Sequence, residues 1–549
     1  MEHDGPSNGR DADTFPTVTA GLPTCLSPRV VDLGDGERVE LRIAPVIKRL
    51  GDATVRMLAY NGSVPGPTLR VPQGSEIEVT VVNEGDMETT VHWHGLRLDY
   101  RSDGTHETQD PIPVGGSYTA RVSFPDPGVY WYHPHIREDY GKEMGLYGNV
   151  LVVPADPGYW GLVDREVLLT LDDVLLEDGA IASFSRTEAN YVAMGRFGNL
   201  MLVGGEPDLT LDARAGEVVR LYLTNTANTR VFNAAIGSAR MKLVGGDSGR
   251  CEREEMVDAV VVAPSERAVV EVLFDRPGKA VLENRTPQRS TPLAVVVVGD
   301  GPADPPLAAR FEDLRVDREL VAERERLSPL MAAEPDKSLA FVAEMDMGEP
   351  DAGAGGPYGC PMHPEVVSDA PGSCPVCGMK LLPVALIAQA EGEHGHGHHD
   401  EHHEGSHEPA GGIEWEDDMV AVNRMTTPAN TRWKLVDRAT GAENAAIDWR
   451  FVVGDRVKIR LVNEMDSDHP MHHPFHVHGA GRFLVMSRDG VTEGNLVWKD
   501  TVLVRTGETV DLLLEITNPG IWMAHCHIAE HHESGMMFSF RVDPRVEGT

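Results

Sequence analysis

The sequence has no hydrophobic run of membrane length. Its longest aliphatic stretches, such as LAVVVVG ending at Gly299, are strand-sized, far short of the about 20 consecutive apolar residues that a spanning helix needs. No membrane span is therefore expected. Basic residues are also in deficit: 49 Lys and Arg stand against 86 Asp and Glu, a net charge of -37. That excludes nucleic acid as a partner, because phosphate binding rests on clustered cations. The acidic surplus favours solubility and attracts cations, metal ions among them. Cysteine is sparse, and six in 549 residues cannot build a disulfide framework. Three of the six (Cys360, Cys374, Cys377) cluster and Cys526 is flanked by histidines, so metal chemistry is the better expectation. The N-terminus, MEHDGPSNGRDADTFPT, lacks the basic start and apolar core of a secretory signal, which leaves the compartment open, the cytoplasm included.

Long segments of helical period are missing as well, and what fills the chain is a repeated β unit. GSEIEVTVVN from Gly74, GEVVRLYLTN from Gly216 and GDRVKIRLVN from Gly454 share a leading Gly, a closing Asn and the alternation of a half-buried strand. Each is followed by a Pro-Gly turn into another strand: PGVYWYHPH from Pro127, PGKAVLENR from Pro277 and PGIWMAHCH from Pro519. Three copies of one unit, separated by Gly, Pro and Asn turns, predict three Greek-key β-sandwiches in an all-β chain, at 38–155, 156–305 and 338–545. The middle copy has Glu283 and Arg285 where the outer two have His133 and His135, or His525 and His527, and no histidine lies between His135 and His363. The middle domain thus reads as a spacer without ligands. An insert from 349 to 412, rich in Gly and His, interrupts the third domain.

Four histidine motifs stand out: HWHG at His92, HPH at His133, HPFHVHG at His473 and HCHIAEHHESGMM at His525. On a strand, residues i and i+2 share a face. The pairs His92/His94, His133/His135, His476/His478 and His525/His527 therefore supply eight imidazoles, enough for a three-copper cluster between the first and third domains. The same alternation turns Cys526 to the opposite face, where a second site must lie. Two imidazoles, a thiolate and a weak thioether form the ligand set of a blue-copper electron-transfer centre, and His473, Cys526, His531 and Met536 provide it.

On these motifs the chain resembles the multicopper oxidases, of the three-domain laccase and copper-efflux oxidase type, over nearly its whole length outside the insert. The resemblance implies cupredoxin-like domains and four copper ions: type 1 at His473, Cys526, His531 and Met536; type 2 at His92 and His476; and a type 3 pair at His94, His133, His135, His478, His525 and His527. It further implies oxidation of a small reducing substrate or cuprous ion one electron at a time, with dioxygen reduced to water. The periplasm or the cell exterior is the expected compartment, and a copper donor protein an expected partner. Asp103, in RSDGT, matches an acidic position thought to help with protons in the family, although a turn aspartate is an equal reading. The family's glutamate after the second type 1 histidine is replaced here by His532, with Glu530 or Glu533 as the substitutes.

Within the insert, YGCPMHPEVVSDAPGSCPVCGMKLLP places Cys360, Met362 and His363 before a CPVC pair and Met379, and resembles a small heavy-metal-binding module. Soft thiolate and thioether ligands favour Cu(I), while three Cys and one His at this spacing also suit structural zinc. Seven histidines follow between His394 and His407, a run with nothing apolar to bury and an expected disordered metal trap or solvated linker. Three functions are open: a cuprous oxidase in copper tolerance, a laccase-like phenol oxidase, or a copper store. A store has no use for a type 1 site.

Overall fold

A computed structural model describes residues 13–304, 306–348, 356–394 and 411–545. Among them no helix is long and apolar enough to cross a membrane. Three pairs of β-sheets follow one another along the chain. The first pair sets a four-stranded sheet (Ala53–Tyr60, Arg38–Leu50, Glu76–Asn83, Ser117–Ser123) against a five-stranded one that ends on Gly128–His133 and His92–His94. The second is built round Arg165–Val174, Glu217–Asn225 and Arg267–Phe274, backed by the sheet holding Gly278–Arg285. The third is built round Lys337–Met345, Arg456–Asn463 and Thr509–Ile516, backed by the sheet in which His473–Val477 neighbours Gly520–Cys526. The chain is all-β, with cupredoxin-like sandwiches as its architecture.

The ten-residue repeat takes the same topological place in each pair. Glu76–Asn83, Glu217–Asn225 and Arg456–Asn463 each run parallel to one strand and antiparallel to the next. The leading glycines Gly74, Gly216 and Gly454 all have φ between +81° and +98°, a turn conformation that a Cβ disfavours. The closing asparagines are buried, and each side-chain amide satisfies one carbonyl of the loop that follows and one of a segment further along the chain. Asn83 donates to Met87 O and Ile112 O, Asn225 to Arg230 O and Val262 O, and Asn463 to Met471 O and Arg505 O. One short polar side chain thus ties each strand to its crossover, which explains why the repeat ends on Asn.

The insert starts after Lys337–Met345 and returns before Thr431–Asp437, and these two strands pair with each other. It leaves and rejoins the sheet at one edge, so the sandwich closes without it. The insert adds three short strands, Tyr358–Gly359, Val367–Ser368 and Leu382–Pro383, then the helix Val384–His394. The histidine-rich run beyond residue 394 lies outside the described residues until 411.

Replacing Asn225 by Ala leaves two buried carbonyls unsatisfied, at about 1–3 kcal/mol each. Calorimetry of Asn225→Ala is expected to show a lower unfolding temperature, and an unchanged one would contradict this role for the repeat.

Candidate metal centre

The four motifs converge because two strand pairings bring them together. His92–His94 runs antiparallel to Gly128–His133 with His92 opposite His133, and His473–Val477 runs antiparallel to Gly520–Cys526 with His476 opposite His525. All eight paired imidazoles are buried. The two halves interleave: the His94 and His476 rings stack 3.8 Å apart, His92 and His478 lie at 4.1 Å, and His478 Nε2 is 3.0 Å from His525 Nε2. Donor atoms of His92, His476 and His478, of His92, His94 and His133, and of His135, His478 and His525 form sets in which all atoms lie within 4.8 Å of one another.

Outward-facing nitrogens are held by the protein. His92 donates Nδ1–H to Asp103 O (2.7 Å), His133 to Pro134 O (2.8 Å), His476 to Asp500 O (2.9 Å) and His525 to Cys526 O (2.8 Å). His478 donates to the Asp103 carboxylate at 2.8 Å. Inward nitrogens, including Nε2 of His92, His133, His476 and His527, have no hydrogen-bond partner although buried. Buried polar atoms are rarely left so, and a cluster of them facing one another fits metal ions. Burial, and then neighbouring imidazoles, push His94, His135, His476 and His525 well below their ordinary value and His478 down to about 4, and burial followed by the Lys142 charge does the same to His527. These rings are therefore neutral, as ligands must be. Burial alone would raise the Asp103 carboxyl, but His478 and His92 hold it well below the carboxylate range.

Cys526 projects away from this cluster, as alternation requires. Its Sγ lies 3.5 Å from His473 Nδ1 and 3.7 Å from His531 Nδ1, and those two nitrogens are 3.3 Å apart. Met536 is fully buried beside them, its carbonyl accepting from Cys526 N–H. Phe341 stacks on His473, and Trp433 lies against His531 with ring centroids 4.2 Å apart and planes tilted by 30°. Burial pushes the Cys526 thiol up, so a thiolate here needs a cation beside it.

Comparison with known proteins agrees with this geometry. Family models described as multicopper oxidase match residues 45–157 and 416–546, and one described as heavy metal binding domain matches 358–384. The chain is 25% identical to the multicopper oxidase MmcO of Mycobacterium tuberculosis, over 91% of this chain and 86% of that one. It is 24% identical to Laccase-3 of rice, over 90% of each. A Campylobacter jejuni multicopper oxidase, described as a metallo-oxidase, has the same fold (TM-score 0.63, 20% identity, 96% of this chain and 98% of that one).

The chain belongs to the multicopper oxidase family. As such it is a copper-dependent oxidoreductase with oxygen as acceptor, and its cofactors are one type 1, one type 2 and two type 3 copper ions.

In the oxidase, Asp103 and Glu530 occupy different settings. Asp103 touches two cluster histidines. Glu530 is buried, accepts a hydrogen bond from Thr229 Oγ1 at 3.2 Å, and is pushed up to about 7, chiefly by burial. A third carboxylate escaped the reading of the sequence. Glu138, fully buried, lies 3.2 Å from His527 Nδ1, 3.5 Å from His133 Nδ1 and 3.1 Å from Lys142 Nζ. His532 Nδ1 is 3.9 Å from its other oxygen. The only signal was an acid three residues after the HPH motif.

In the insert, Cys360 Sγ is 3.6 Å from His363 Nδ1 and 3.7 Å from Cys377 Sγ, and Cys374 Sγ is 3.7 Å from His363 Nδ1. The four form a buried donor group. Met362 and Met379 are buried in the same apolar core. The module docks on the segment leading to His473: Lys380 donates N–H to Asp468 O at 2.7 Å, and its Nζ lies 3.1 Å from the Asp468 carboxylate.

Because the cluster histidines are depressed in the folded chain, the unfolded copper-free chain binds more protons below the ordinary imidazole value of 6.5. The histidines' contribution to stability therefore rises with pH across this window, and they outnumber the buried carboxyls such as Glu530 and Glu143 that are pushed up and act in the opposite sense. Thermal unfolding of copper-free protein is expected to move to lower temperature as pH drops from 6.5 through about 4, with the Asp103 pair intact throughout that range and failing only at more acid pH. A flat profile over this window would contradict burial of neutral rings.

Proposed function

We propose that the oxidase takes electrons from cuprous ion, in copper tolerance, and acts on phenols as a secondary donor. Type 1 copper is assigned to His473, Cys526, His531 and Met536, type 2 to His92 and His476, and the type 3 pair to His94, His133, His135, His478, His525 and His527. Copper at these positions supplies one-electron exchange at the first site and dioxygen reduction at the cluster. The chain itself does the rest. Cys526 sits between His525 and His527, so a single peptide unit on either side joins the thiolate to cluster imidazoles and gives electrons a covalent path. Asp103 fixes His478 and His92, and Glu138 sets a negative charge beside His527 and His133. Proton supply is assigned to Glu530, which burial leaves able to carry a proton near neutrality, while Asp103, held ionised by His478 and His92, is assigned to accept and pass on protons beside the cluster.

The observation that carries the cuprous reading is the docking of the insert's donor group on residues 465–470, just before His473. Cys360, His363, Cys374 and Cys377 are proposed to hold one soft ion, with Met362 and Met379 as further soft donors. Cu(I) is favoured over zinc by the thioethers and by this neighbourhood. Within residues 465–470, buried His469 Nε2 lies 3.1 Å from Met194 Sδ, and the Trp433 ring neighbours both His469 and His531. A nitrogen and thioether pair is again suited to Cu(I). The periplasm or exterior is the compartment proposed, from the family resemblance.

The test is oxygen uptake by copper-loaded protein given cuprous ion or a phenol, with Cys374→Ser/Cys377→Ser alongside. Changes outside the ligand shell already cost about 10–100-fold in metal affinity, so losing two direct donors is expected to slow cuprous oxidation at limiting copper by at least about tenfold and to spare the phenol. Faster uptake with phenol, indifferent to the double variant, would favour a laccase with its own metal-loading device.

A further inference from the structure

We infer that Arg267, on the supposedly passive middle sandwich, is a positioning residue for the copper cluster: acting through Asp500, it sets which nitrogen of His94 faces the metal. This rests on the ligand assignment proposed above. His92, His133, His476, His478 and His525 all give Nδ1–H to the protein. His94 is turned the other way. Its Nε2 lies 3.0 Å from Asp500 Oδ1 and 3.1 Å from Thr501 Oγ1, while its buried Nδ1 has no partner. A ring whose Nε2–H is donated has its lone pair on Nδ1.

The tautomer follows from what Asp500 can offer. Both of its oxygens are held in a fork by Arg267, Nη1 to Oδ1 at 2.7 Å and Nη2 to Oδ2, and Thr501 Oγ1 donates to Oδ1 at 2.9 Å. A carboxylate bound in this way has only lone pairs to present to His94, so Nε2 must be the donor. Arg267 is itself fully buried, and its remaining N–H groups are all used. Nε donates to Val129 O of the first sandwich (3.1 Å), Nη1 to Ser265 O (3.0 Å) and Nη2 to Asp247 O (3.1 Å). One guanidinium therefore spends its five donors on three sandwiches and leaves none for water.

Gly95 supplies an independent observation. It follows His94 in HWHG with φ +83°, and a Cβ there would collide with Asp500 Oδ2 and Arg267 Nη2. The fourth residue of the motif is small because the pair packs against it. Thr501 extends the control to the other half of the cluster, with its hydroxyl also 3.1 Å from His476 Nδ1.

The test uses copper-loaded full-length Asp500→Asn and Arg267→Lys. The amide of Asp500→Asn keeps the shape but can donate to Nε2, and Arg267→Lys keeps the charge but not the fork. Readouts are copper per chain after chelator challenge, the near-ultraviolet absorption of the coupled copper pair, and the blue absorption as an internal marker of folded protein. Expected in both variants is copper retention at the cluster weakened about 10- to 100-fold, with the near-ultraviolet band reduced and the blue band kept. Wild-type retention and a wild-type near-ultraviolet band in Asp500→Asn would overturn the inference. Parallel loss of blue and near-ultraviolet bands in both variants would also overturn it, showing a tie between domains and nothing specific to His94.

Discussion

The two-sidedness of one β-strand is the constraint on which this molecule depends. Along Gly520–Cys526 and the residue that follows, successive side chains must point to opposite faces. His525 and His527 therefore enter the eight-imidazole cluster while Cys526, between them, enters a different cavity with His473 and His531. Two metal environments of opposite character are thereby held at a fixed, short covalent distance. One is all nitrogen and spans two domains. The other contains sulfur, is walled by Phe341 and Trp433, and lies within a single domain.

Concentrating neutral imidazoles in a dry interior carries an electrostatic cost, and the acidic groups around the cluster offset it. Asp103, Glu138 and Asp500 each stand behind cluster rings; Asp103 and Asp500 accept from their outer nitrogens, and Glu138 lies 3.2 Å from His527 Nδ1. They fix ring orientation and make the inner nitrogens better donors to a metal. Two of them are in turn balanced by buried cations: Lys142 beside Glu138, Arg267 on Asp500. The middle sandwich contributes Arg267 and, through Thr229 and Asn228, contacts to Glu530 and to the backbone at Asp139. It contributes no imidazole, yet it is part of the support of the site.

Much of this was legible in the sequence because it is written in short-range periodicity. The i, i+2 histidine pairs, the offset of Cys526 and the thrice-repeated strand ending on Asn require only local geometry. What escaped is what folding brings together over long separations. Glu138 reads as one acid among many, Arg267 as one arginine of a strand, and Asp500 as a polar residue before a Thr-Val-Leu-Val strand. Their roles come from the meeting of sheets far apart in sequence, and no pattern within a strand encodes that. The insert was visible by its spacing, whereas its seat against residues 465–470 depends on the surface of the sandwich and could not be read.

Metal analysis and absorption of copper-reconstituted Cys526→Ser probe this division between the two faces of the strand. If Cys526 serves the blue site alone and its flanking histidines serve the cluster, the variant loses its blue absorption and donor oxidation yet still binds the cluster copper, with the near-ultraviolet band retained. A variant that stayed blue, or that lost cluster copper along with the colour while remaining folded, would contradict the division of labour along this strand.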